Sequence, residues 1–369
     1  EIGFEERRVT DRWSIKIGGS YFPTRNLSSL IAFRVGKTLD DYHFQVTSSH
    51  CDSPTFKVKE KAELKGKGGY LQLNTEGYGG MICSSWMDRP LSLAGRVLVR
   101  EGNTVTSRLV AFDRDLLIIP NVAIHMNRSV NDGFAFNKQV DMLPLFSAGE
   151  CGEDSYRELI AQELGVDPQS ILGMDMYLYN RTAPSIWGAK EEFISSPKLD
   201  DLQCACTSLK AMIQAENDRC VTVYACFDNE EVGSGTKQGA CSTFLRDVLQ
   251  RINDGLGFDG EDYRRAVAGS FMVSCDNAHA VHPNHPEKTD AENCTWMNKG
   301  IVIKFSANQK YTTDGISCAV FAGLCRDAGV PVQYFANRSD SVGGSTMANL
   351  SSQQVSMHHV DIGLPQLSM

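Results

Sequence analysis

Long apolar runs, basic clusters, paired cysteines and repeats are all missing from this chain, and each absence removes a class of function. The longest hydrophobic stretches, such as "LLIIPNVAI", fall far short of the ~20 residues that a membrane span requires. Lys and Arg form no cluster, and the formal net charge is −9 over 369 residues. That acidic balance argues against a nucleic-acid or membrane-surface partner. No signal-peptide pattern is visible near Glu1, where the chain opens without an initiator Met. The 12 cysteines contain no C-x-x-C pair and are irregularly spaced from Cys51 to Cys325. Several sit in apolar patterns (Cys226, Cys275, Cys318), so they read as free thiols of a reducing cytoplasm rather than as a disulfide framework. Cys204 and Cys206 in "LQCACTSL" read as core packing rather than as metal ligands.

What is present is a soluble composition, 42% hydrophobic, with length enough for two domains. The second half alternates short apolar, β-branched runs with amphipathic stretches. The runs are "CVTVYACFD", "SFMVSCD", "IVIKFS", "VPVQYFANR" and "QVSMHHVDIG"; the helical patterns are "DDLQCACTSLKAMIQAE", "GACSTFLRDVLQRIND" and "DGISCAVFAGLCRDAG". This alternation predicts an α/β fold with a largely parallel sheet flanked by helices. Residues 61–186 differ: they are strand-rich and punctuated by Gly, with "REGN" a hairpin turn and one helix at "EDSYRELIAQELG". They read as a β-rich domain inserted into a catalytic domain made of residues 1–60 and 187–369.

Polar residues gather where the apolar runs end. "HFQVTSSHCDSP" finishes on His50 and Asp52, and "SSPKLDDL" places Asp200 and Asp201 at a helix start. "VYACFDNEEVGS" carries Glu230 and Glu231, and "FMVSCDNAHAVHPN" carries Asp276, His279 and His282. Taken singly, each has a plain reading: Asp200 or Asp201 caps a helix, His279 and His282 sit in a loop. Together, at one edge of one sheet, these carboxylates would repel each other without cations between them. A cocatalytic two-metal site answers this, with a bridging carboxylate, His and carboxylate terminal ligands, and a base. Of two adjacent glutamates in a turn, one can ligate a metal while the other removes a proton from the water.

The stretches "SSHCDSPTFKVK", "SPKLDDL", "FDNEEVGSGTKQGA", "CDNAHAVHPN" and "LPQLSM" resemble the aspartyl aminopeptidase family of dinuclear zinc exopeptidases. So do "TRNLSSLIAF", "TEGYGGMICSSWMDRPLSLAGRVLV" and "NRSDSVGGST", and the match runs in the family's order over almost the whole chain. The resemblance implies a metallo-aminopeptidase that removes the first residue of peptides, with a preference for Asp or Glu, by a water activated between two divalent ions, zinc in the first instance. It implies that Asp200 bridges the metals, that His50 and Asp276 complete one, and that Asp52 orients His50. Glu231 would ligate the other metal and Glu230 would be the general base. His279 and Lys299 would contact substrate, although by its residues alone Lys299 reads as a solvated turn lysine. His125 would reach into a neighbouring subunit's site, making the insert a dimerisation domain within a tetrahedral dodecamer.

Two departures matter. The family has a further N-terminal segment, and its last metal ligand is a His directly after the "LPQL-M" motif. The expectation is therefore a His immediately beyond Met369, with neither His358 nor His359 in its place. Cobalt and manganese suit the same ligands as zinc. A preference for neutral first residues, another dinuclear zinc amidase, and an impaired oligomer lacking that His are alternatives.

Overall fold

The computed structural model describes residues 3–368. It divides into two compact units, Glu1–Ser53 with Lys198–Met369, and Pro54–Pro197. The junctions fall before residue 61 and after residue 186. The first shifts because Thr55–Lys65 is one strand, paired with Leu71–Tyr78 on both sides of an irregularity between Val58 and Glu63, so a cut at 61 would divide it. The second shifts because the hairpin of Ser185–Trp187 and Phe193–Ser195 precedes the next helix.

In the first unit the strands lie in the order Glu5–Glu6, Ser20–Phe22, Ser29–Val35, Val221–Phe227, Phe44–His50, Phe271–Cys275, His358–Gly363, Ile301–Phe305 and Val332–Ala336. Thr24–Arg25 pairs with Ser29–Val35 outside this path. The four from Val221–Phe227 to His358–Gly363 run parallel. Antiparallel neighbours flank them, Ser29–Val35 on one side and Ile301–Phe305 on the other. In Val221–Phe227 every residue except Thr222 is buried, which is why it reads as an unbroken apolar run rather than an alternating one. The helix Phe244–Gly255 buries Phe244, Leu245, Val248, Leu249 and Ile252, one stripe at helical spacing, in the same core as Phe33, Val46 and Val223. The sheet is thus parallel at its centre and mixed at its margins. The N-terminal strands and the helix Gly260–Ala268 were not anticipated from the pattern.

The second unit is a six-stranded antiparallel sheet with Leu145–Ser147 and Thr104–Ala111 at its edges. Its core, around Phe56, Leu73, Leu93 and Val97, also takes in Ile160 of the helix Ser155–Leu164. The expected hairpin is there: Glu101 pairs with Thr104 across Gly102, whose φ of 62° is the left-handed value such a turn needs.

Register decides what the sheet can display. Phe227 lies opposite His50, Ser48 opposite Ser274, and Cys275 opposite Ile362. The segments that follow these strands therefore leave at one edge, where open α/β sheets place their chemistry. At Gly363 the chain passes so close to the Asp276 carbonyl that a Cβ would clash with backbone. Gly363→Ala should therefore lower stability by about 1–3 kcal/mol, the scale of overpacking. Zinc content should fall with it; a variant as stable and metal-rich as the parent would contradict this register.

Candidate metal centre

His50 ends its strand and is 1% exposed. Its Nε2 lies 3.3 Å from Asp200 Oδ1 and 3.8 Å from Asp276 Oδ1. Asp276 follows Phe271–Cys275, and Asp200 stands in the first turn of Leu199–Gln214. Asp201 joins them, and one donor atom from each of the four lies within 4.8 Å of the others. Neither aspartate caps the helix: both have non-helical backbone, and this end carries no side-chain cap bond. Asp201 Oδ2 instead accepts the His50 amide at 3.1 Å, and its buried Oδ1 has no hydrogen-bond partner among the described residues. Asp200 Oδ2 accepts from Gln366 Nε2 at 2.6 Å.

The glutamates occupy a single turn, Glu230–Val232, entered through Asn229 at φ 63° and left through Gly233 at φ 90°. Asp52 holds that turn. Its two carboxylate oxygens accept the amides of Glu230 at 3.0 Å and Glu231 at 3.1 Å, while Oδ1 also faces His50 Nδ1 at 3.4 Å. The side chains of the turn are not among the four clustered donors. Glu231 Oε1 is nonetheless buried without a hydrogen-bond partner among the described residues.

The charges are unbalanced. Asp52, Asp200, Asp201, Asp276, Glu230 and Glu231 face His50 and the 2%-exposed Lys304, whose Nζ is 3.6 Å from Asp276 Oδ2. Burial pushes Glu230 up to about 7 and Glu231 up to about 8. Burial likewise raises Asp201 well above the carboxylate range. For His50 burial opposes the charge, yet the carboxylates of Asp200, Asp276 and Asp52 outweigh it and raise the ring well above its usual value. Burial also opposes the Asp276 anion, which Lys304 and His50 keep below the usual range. Without a metal, protons are the cations available to this edge.

A family model, aminopeptidase I zinc metalloprotease (M18), matches residues 1–369. The chain belongs to the M18 family. It is 46% identical over 375 residues to the Clostridium acetobutylicum protein named "Probable M18 family aminopeptidase 2", covering 100% of this chain and 87% of that one. Its fold matches a chain of the Ape4 and Nbr1 complex solved by cryo-EM, with TM-score 0.95, 38% identity and coverage of 100% and 75%. It also matches the S. cerevisiae mApe1 dodecamer, with TM-score 0.85, 26% identity and coverage of 100% and 84%. This M18 chain is accordingly a zinc aminopeptidase, a hydrolase.

The donor set fits the metal. One imidazole and several carboxylates converge, and buried Asp201 Oδ1 and Glu231 Oε1 find no hydrogen-bond partner among the described residues. His50, Asp200, Asp276, Asp52 and the Glu230–Glu231 turn come together as the strand ends suggested. His279 pairs its backbone with Gln366 beside them, and its side chain is exposed. Lys299 is exposed on the turn before Ile301–Phe305, as a solvated lysine would be. Lys304, inside that strand, is the lysine at Asp276. It could have been noticed as the one charge in "IVIKFS", as could Gln366 in "LPQL". His125 belongs to the second unit, on an exposed stretch. His358 and His359 begin their strand opposite Phe271 and Met272, at the edge away from His50. The expected His beyond Met369 lies outside the described residues.

An acid whose folded value is raised makes the folded state bind protons that the unfolded chain has released, so stability falls as pH rises between the two values. Metal-free protein should lose stability from about pH 4.5 to 8, through Glu230 and Glu231. In the Glu231→Gln variant that loss should be smaller, and thermal melts with chelator at several pH values would measure it. Parallel curves for both proteins would contradict the assignment.

Proposed function

We propose that this aminopeptidase works through two divalent ions. His50 and Asp276 would hold one, Glu231 would hold the other, and Asp200 would serve both. The observation that carries the reading is the convergence of His50, Asp200 and Asp276, with Asp52 clamping the Glu230–Glu231 turn to the same edge. Bound there, zinc supplies Lewis acidity toward the first peptide carbonyl and the attacking water.

The rest falls to the chain. Glu230, beside the proposed ligand Glu231 on the turn that Asp52 clamps, takes the water's proton and returns it to the leaving amine. Asp52 fixes the backbone from which Glu230 projects, and by facing His50 Nδ1 it leaves Nε2 as the ligand atom. The surrounding carboxylates offer acceptors to a free α-amine, which supports cleavage from the amino end. His279 is exposed for contact with substrate. An acidic first residue is the preferred substrate, and Lys304 rather than Lys299 is its counter-ion. Its ammonium donates to the Asn277 carbonyl at 3.1 Å and faces Asp276, leaving one N–H for a substrate carboxylate.

The unit Pro54–Pro197 is proposed as the dimerisation domain, with His125 serving a neighbouring subunit's site. Exposed Val122, Ile124 and Met126 around it support such a contact. A tetrahedral dodecamer is the proposed assembly, supported by the dodecameric S. cerevisiae relative. The cytoplasm is the proposed compartment: all twelve cysteines are free, and no described helix is long and apolar enough to cross a membrane.

Zinc-replete protein should cleave Asp- and Glu-led peptides faster than Leu-led ones, and N-acetylated versions of each not at all. Cleavage of the blocked peptides would favour a different zinc amidase. Glu230→Gln should keep its zinc and lose at least ~100-fold in turnover, the usual scale for a general base. Glu231→Gln should lose zinc instead, and equal metal content with equal activity in both variants would refute the division of labour.

A further inference from the structure

Asp361 is a carboxylate in the interior of a sheet, 0% exposed, on the strand His358–Gly363. Its strand lies between Phe271–Cys275, where Ser274 is its partner, and Ile301–Phe305, which carries Lys304. A buried carboxylate there is destabilising unless something claims it. Its claimants come from two loops. Oδ2 accepts from the Thr312 amide at 2.6 Å and the Thr312 hydroxyl at 3.0 Å; Oδ1 accepts from the Thr346 hydroxyl at 2.5 Å. The Asp361 amide in turn donates to Thr313 Oγ1 at 2.9 Å. The loops also meet directly, through Thr346 N–H to the Lys310 carbonyl at 3.4 Å.

The first loop borders the lysine end of the site, and the second joins it through Thr346 and Lys310. Tyr311, 5% exposed, puts its ring 5.1 Å from Lys304 Nζ, and that ammonium faces Asp276. The segment before Thr346 is "SVGGS", with two glycines and Val342 99% exposed; besides Asp361 it is held by Gly343 packing on Asn337 and by Ser345 donating to Asn349 at 3.0 Å. Asp361 touches neither the clustered donors nor the Glu230–Glu231 turn in any bond it makes.

We infer that Asp361 is a positioning residue for substrate recognition: through Thr312 and Thr346 it holds the 310–313 and 342–346 loops against Lys304, and so sets how tightly the first side chain of a peptide is bound. The inference rests on the proposed acidic preference for its direction. Its effect belongs in KM rather than in metal binding or proton transfer.

The experiment compares zinc-loaded full chains of the parent, Asp361→Asn, Thr346→Val and Thr346→Ser. KM and kcat are measured on Glu-led and Leu-led peptides, zinc content is determined, and amide hydrogen exchange is followed without substrate. Asp361→Asn should keep its zinc and raise KM for the Glu-led peptide about tenfold more than for the Leu-led one, with faster exchange in both loops. Thr346→Val should move the same way by a smaller factor, and Thr346→Ser, which keeps the hydroxyl, should match the parent. Faster exchange with an unchanged KM, or a kcat loss shared equally by both peptides, overturns the inference. If the parent itself does not discriminate the peptides, the acidic preference fails separately. The inference then stands on a KM raised for both together with faster exchange, and falls if KM is unmoved.

Discussion

Asp52 uses both carboxylate oxygens on the backbone of the Glu230–Glu231 turn while facing the ring of His50 two residues earlier. That one side chain joins the ends of two neighbouring parallel strands, and the site depends on it. The two charges it holds near His50 would otherwise have no reason to stay. Two carboxylates about 4 Å apart at an effective dielectric of about 20 repel by about 4 kcal/mol. A domain's whole stability is about 5–15 kcal/mol, so several such pairs are untenable without compensation. His50 and Lys304 compensate part, raised proton affinity at Glu230 and Glu231 more, and a bound metal most directly.

The fold supplies the geometry for this at little local cost. Four parallel strands bring their ends to one edge, and the register sets His50 beside Phe227 and Ser48 beside Ser274, so their successors converge. Asp200 and Asp201 arrive from a different direction, at the start of a helix packed on the same strands. Gln366 returns after the last strand to hold Asp200, donating to its Oδ2. The loops beyond the lysine end are tied down by the buried Asp361, on a strand whose own carboxyl end passes Asp276.

Much of this was legible before any coordinates. Polar residues that terminate apolar strands in an α/β pattern can only sit at the carboxyl edge, which located His50, Asp276 and the paired glutamates without knowledge of strand order. Periodicity could not reveal strand order itself, since it depends on non-local pairing, and so the antiparallel flanks and the insert's true ends went unread. Lys304 was obscured for a different reason. A lone lysine in a buried strand reads as noise until its neighbour across the sheet is known, whereas Lys299, next to a glycine turn, looked accessible. Asp201 was visible as half of a pair, but its bond to the His50 amide is a tertiary fact.

The central claim is that this carboxylate-rich edge is built around two metal ions sharing Asp200. Anomalous scattering at the zinc absorption edge, from crystals of the zinc-loaded protein, addresses it directly. The account predicts two peaks about 3.5–4 Å apart, the spacing of two-metal sites. One should be bound by His50 and Asp276, the other by Glu231, with Asp200 touching both. A single peak, or a second one away from Asp200 and Glu231, would contradict it.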